Sequence, residues 1–111
     1  MRTSIFMATF VAVLSAVPLT AHAADTVPKF DIAKNCKSDL TVSTDSGETL
    51  ESCTRDEEKA RQALVLQWSQ FRHEDKTFCI REAGLDGTPS YVELQTCLEM
   101  ATQRARLLDE Q

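Results

Sequence analysis

Four cysteines carry most of the chemical range in this 111-residue chain: Cys36, Cys53, Cys79 and Cys97. Runs of 16, 25 and 17 residues separate them. No C-x-x-C occurs, so a thioredoxin-type redox centre lacks its motif. Zinc would want closely paired ligands, and His73, the one histidine beyond residue 22, stands apart from every cysteine pair. A catalytic histidine needs a nucleophile and an orienting acid near it in space. Glu74 and Asp75 follow His73, but in a turn between helices they read as solvated. The Asp56-Glu57-Glu58 run suits the start of a helix better than a calcium loop, which needs more oxygen ligands at loop spacing. Trp68 and Tyr91 lie on core-facing stripes, so a ligand cradle between them is the less favoured reading. No catalytic, cofactor-binding or metal-binding set is expected. An even cysteine count in a short exported chain reads as two structural disulfides.

The inference of export comes from the first 23 residues. Met1-Arg2-Thr3-Ser4 is a short, positively charged start. From Ile5 to Leu19 only Thr9, Ser15 and Pro18 interrupt an apolar run, and Ala21-His22-Ala23 sets small residues at −3 and −1 of a cleavage site. That layout is a signal peptide, with cleavage between Ala23 and Ala24. The run is about 15 residues, short of the roughly 20 a membrane-spanning helix needs, and Pro18 breaks its end. The expected setting is the periplasm or the medium, with no membrane span.

Removing 23 residues from 111 leaves 88; Arg2 goes with them, so 11 basic residues face 17 acidic ones and the net charge is −6. Nucleic acid demands clusters of Lys and Arg, so it is excluded as a partner. Leu, Ile, Val and Phe make up 18 of those 88 residues, close to the level at which a chain struggles to bury a core. A domain this small needs staples.

The elements that position the cysteines are helical. Residues 24–29 read as a flexible leader, 30–37 as a short helix or an extended anchor, and 38–52 as a polar loop. Thr54-Arg55-Asp56-Glu57 fits a capping box that opens an amphipathic helix ending near Arg72. Ala60, Ala63, Leu64, Gln67, Trp68 and Phe71 share its core face. His73-Glu74-Asp75 is a polar break, and Asp75 caps a short helix over 76–83 closed by a left-handed Gly84. Thr88-Pro89-Ser90 starts the last helix, with Ser90 and Glu93 as a second capping box. Tyr91, Leu94, Cys97, Leu98, Ala101, Ala105 and Leu108 form its stripe. Val65, Leu66, Val92, Met100 and Leu107 fall off the stripes. They form either an exposed apolar patch or, the favoured reading, a second buried side under the N-terminal segment.

The expectation is therefore an all-α, disulfide-stapled domain: two long amphipathic helices, a short one between them and an irregular N-terminal segment. Its divisions are 1–23 signal peptide, 24–52 irregular segment and polar loop, and 53–111 helical core. Helix length then selects the bridges. The helix after Cys53 is about 27 Å long, so Cys53 and Cys79 would stand roughly 20 Å apart, against a Cα limit of about 7 Å. A Cys53–Cys97 bridge would be off by about 12 to 15 Å if the helices pack side by side. The local pairs Cys36–Cys53 and Cys79–Cys97 need no such reach. By loop closure each would contribute about 3 kcal/mol.

The segment Ser90-Tyr91-Val92-Glu93-Leu94-Gln95-Thr96-Cys97-Leu98-Glu99-Met100, with the upstream pattern Cys53, Ala60-Arg61, Leu64, Trp68, Phe71, Cys79, resembles a family of small exported proteins common in alphaproteobacteria. The resemblance covers about half of the chain. It implies a Gram-negative, periplasmic setting and carries no activity with it.

Size, charge, export and the lack of catalytic groups point first to a non-catalytic module that binds another envelope protein. A basic enzyme would suit the −6 charge. A stress-related holdase is the second expectation, and a small hydrolase or ligand-binding protein a distant third.

Overall fold

The computed structural model describes residues 26–42 and 47–111. The signal peptide expected over 1–23 and its expected Ala23–Ala24 cleavage junction lie outside the described residues, as does part of the polar loop. The expected all-α, disulfide-stapled class is what the structure has. Its helices are α1 (Ile32–Val42), α2 (Leu50–Gln67), α3 (His73–Ala83) and α4 (Tyr91–Asp109), with a single 3-10 turn, Trp68–Gln70, closing α2.

The irregular segment expected over 24–52 contains α1. Asp31 caps it, its Oδ1 accepting from the Lys34 amide at 3.0 Å. Ile32 packs against the core, and two further tertiary ties hold this helix. Buried Asn35 donates through Nδ2 to the Thr88 carbonyl at 2.8 Å, and buried Cys36 bonds to Cys53. The leader was read as flexible, yet it docks from Val27 onward. Tyr91 accepts from the Phe30 amide at 2.8 Å and donates to the Pro28 carbonyl at 2.9 Å. The Phe30 and Tyr91 rings stack with centroids 4.7 Å apart.

α2 starts four residues before the expected Thr54. Its capping box is Thr49 with Ser52: the Ser52 amide donates to Thr49 Oγ1 at 3.1 Å and the Thr49 amide to Ser52 Oγ at 2.9 Å. Thr54 sits within the helix and donates to the Leu50 carbonyl. The far end stops early too, because Phe71 is extended. His73-Glu74-Asp75 is then not a break but the first turn of α3. Asp75 serves there as an ion-pair partner of Arg72, 3.3 Å away, and not as the cap. Gly84 has a φ of −105°; the left-handed glycine of this turn is Gly87, at +83°.

The core gathers Ala60, Leu64 and Trp68 from the α2 side, Cys79 and Ala83 from α3, and Tyr91, Leu94 and Leu98 from α4. Full burial of a leucine is worth about 2 kcal/mol, and Leu64, Leu94 and Leu98 are fully buried. So few large side chains leave the domain dependent on its covalent ties. Both are the local ones. Cys36–Cys53 has its Cα atoms 5.7 Å apart, and Cys79–Cys97, which joins α3 to α4, has them 5.6 Å apart.

Peptide mapping of the oxidised protein by mass spectrometry should return Cys36 linked to Cys53 and Cys79 linked to Cys97. A linked Cys53–Cys79 peptide would mean that α2 and α3 are not arranged as described.

Candidate functional site

The residue on which the arrangement turns is Glu57. It lies on the same face of α2 as Ala60 and Leu64, and it is 4% exposed. Its carboxylate does not reach back to its own helix start. It crosses to α4, where it accepts from Ser90 Oγ, from the Tyr91 amide at 2.7 Å and from the Val92 amide at 3.4 Å. Ser90 Oγ, the cap of α4, accepts from the Glu93 amide at 3.2 Å. The first three amides of α4, which have no partner within the helix, are thereby all satisfied, two of them by a charge at the positive end of the dipole. Glu57 thus completes the cap of another helix, and this fixes where α4 begins.

α4 so placed lies beside α3 and leaves a groove of about 550 Å³ along their seam. Phe78 forms its wall from α3, and Val92, Met100 and Ala101 form the wall from α4, with Cys97 of the bridge between them. The three large apolar side chains face solvent: Phe78 is 50% exposed, Val92 41% and Met100 65%. Val65, Leu66 and Leu107 are exposed as well. The favoured reading of a second buried side is therefore overturned: the N-terminal segment packs on Tyr91, meets only Val65 of these residues at the edge of a cleft, and buries none of them.

The groove has a charge at each end. Glu82 and Glu93 line it near the α3–α4 turn, and Arg104 lines it at the other end. Arg81 lies 5.4 Å above the Phe78 ring and 3.8 Å from Glu82. Neither Glu93 nor Arg104 takes part in an ion pair among the described residues. Desolvation pushes the Glu93 carboxyl above its ordinary range, and the charges of Asp86, Asp39 and Glu57 push it further the same way.

The other expected site residues have structural places. The four cysteines are the two bridges. His73 is exposed at the start of α3, where its carbonyl accepts from Thr77 Oγ1. Trp68 and Tyr91 are buried in the core, and the Tyr91 hydroxyl is committed to the leader. A smaller cleft of about 290 Å³ beside them is bounded by Val27, Lys29 and Arg61. Arg61 is bonded to Glu58, Nε to Oε2 at 3.0 Å, and this bond, with one from Gln62, holds the half-buried Glu58 carboxyl below its ordinary value. Among the described residues no three His, Cys, Asp or Glu side chains gather as a metal would require. Sequence reasoning missed both Glu57 and the groove. A carboxylate in register with Ala60 and Leu64 was the available signal for the first, and Val92 and Met100 off the stripe for the second.

No protein-family model matches the chain, and neither a curated protein nor a solved structure is similar to it.

Glu57→Gln keeps the shape but turns an amide toward the amides of α4. Chemical unfolding should show a loss of about 3 kcal/mol, the scale on which buried donors lose a charged partner; a loss below about 1 kcal/mol would deny the cap its importance. Glu93→Gln should act in the opposite sense. A carboxyl whose value is raised on folding adds stability only once protonated, and that contribution is lost as pH rises through the raised value. E93Q should therefore be slightly more stable than wild type at pH 7. The gap should close as pH falls through the raised value of Glu93 into the ordinary carboxylate range, as read from urea midpoints across pH.

Proposed function

We propose that this chain is a protein-binding module that acts outside the cytoplasm and has no catalytic chemistry of its own. The observation that carries the reading is the groove along the α3–α4 seam. There Phe78, Val92 and Met100 are held facing water by helices that a disulfide locks together. A small domain with so few buried large side chains leaves apolar side chains outside its core at a cost in solubility. A rigid apolar surface of this kind suits recognition, because little ordering remains to be done when a partner binds.

The setting outside the cytoplasm is supported by three features. Two disulfides persist in oxidising compartments. No helix of the described residues is long and apolar enough to cross a membrane. Residues 1–23 have the layout of a signal peptide. The resemblance of residues 53–101 to small exported alphaproteobacterial proteins favours the periplasm, and the net charge of −6 after removal of residues 1–23 favours a partner that is basic where it makes contact.

The test uses a photo-crosslinking amino acid at Met100, in the groove, and at Lys59, an exposed polar position on α2. In cells that make the protein naturally, Met100 should give a discrete protein adduct that Lys59 does not, and the recovered chain should begin at Ala24. Adducts equal at both positions, or a chain that keeps Met1 and free thiols, would refute the reading.

A further inference from the structure

The ends of the groove say more about its partner than its apolar floor does. Glu93 and Arg104 are both on α4, eleven residues apart, which is about 16 Å along a helix. Between them, Cys97, Met100 and Ala101 with Phe78 across the seam make a mainly apolar lining, interrupted by Thr96. Neither charge has an ion-pair partner among the described residues. Glu93 is surrounded by like charge from Asp86, Asp39 and Glu57, so an arriving cation would relieve repulsion as well as gain attraction. Arg81, a cation on the neighbouring helix, lies over Phe78 and beside Glu82.

We propose that the α3–α4 groove docks one amphipathic helix of another protein, with an apolar stripe over Phe78 and Met100, a basic residue against Glu93 and an acidic residue about three turns away against Arg104. This rests on the reading of the chain as a protein-binding module and names the partner's chemistry at that same site. A helix fits the dimensions: three turns cover the distance between the two charges, and side chains three and four apart lay one apolar stripe along the seam. Its acid falls in the first turn and its base in the last when it runs antiparallel to α4. That order also suits its own dipole.

The experiment uses the oxidised protein and three synthetic helical peptides of about 14 residues with the same Leu and Ala stripe. One carries Glu in its first turn and Lys in its last, one Lys at both places, one Glu at both. Titration calorimetry at low salt should rank the Glu/Lys peptide at least fivefold tighter than either of the others. Met100→Glu should abolish binding of all three while leaving the helical circular dichroism intact. Arg104→Glu should lower affinity for the Glu/Lys peptide at least fivefold and raise it for the peptide with Lys at both ends. Glu93→Lys should likewise lower affinity for the Glu/Lys peptide and raise it for the peptide carrying Glu at both ends. Equal binding of the three peptides, sensitive only to Met100→Glu, would overturn the charge assignment and leave the module reading standing. A concentration-dependent dimer in sedimentation that Met100→Glu dissolves would assign the groove to a second copy of the chain and overturn the partner helix. Dodecanoate binding that needs Arg104, with no peptide binding, would assign a lipid-like acid and overturn it as well. Absence of binding by every peptide, with a Met100 adduct still formed in cells, would refute the helix alone.

Discussion

A buried carboxylate at the start of a neighbouring helix is the interaction from which the rest of the architecture follows. Glu57 leaves its own helix unaided at that point and satisfies the first amides of α4. A carboxylate removed from water is costly unless donors surround it, and the open end of a helix supplies amides already aligned. The position of α4 is thereby set to within a hydrogen bond's tolerance. Everything that touches its first turn inherits that position: the Tyr91 hydroxyl that holds the leader, the Thr88 carbonyl that anchors Asn35 of α1, and the exposed side of Val92 that opens the groove. Polar contacts thus organise a domain whose apolar core is too small to dictate its own geometry.

The disulfides act on a different part of the problem. Glu57 ties α2 to α4, while the bridges tie α1 to α2 and α3 to α4. The three ties together connect all four helices in the order α1–α2–α4–α3. The Glu57 tie is the one that joins the two disulfide-linked pairs. The groove lies along the seam that a bridge crosses, so its two walls cannot part when a partner inserts. Rigidity at the seam comes from this bond, and exposure of its lining from the placement of α4.

Much of this was legible in the residues. The two long amphipathic helices, the turn at Gly84–Gly87, Ser90 as a cap and the pairing of the cysteines all follow from local pattern and from distance. What was not legible has one physical source: residues whose partners are distant in sequence. Glu57 three places after Thr54 reads as a reach-back residue, and only the fold shows that its partners lie 33 to 35 residues away. Thr49 and Ser52 then cap α2 in its stead. α1 is announced only as one of two readings of 30–37, because the ties that settle it, Asn35 to Thr88 and Cys36 to Cys53, join residues distant in sequence. Tyr91 read as core, which it is, but its hydroxyl had no visible partner until the leader was seen to lie across it. The groove is legible only as a leftover, apolar residues that the stripes do not use. Which of them meet along a seam depends on how α3 leans on α4.

The bridges also bear on the order in which the molecule is made. Each joins a cysteine to the next one along the chain. A polypeptide threaded from its N-terminus presents Cys36 and Cys53 together while Cys79 is still to emerge, and then Cys79 and Cys97 with no other thiol left to compete. An oxidant that simply joins thiols as they arrive therefore reaches the native arrangement directly. On such a route the slow exchange needed to correct mispaired thiols is not required.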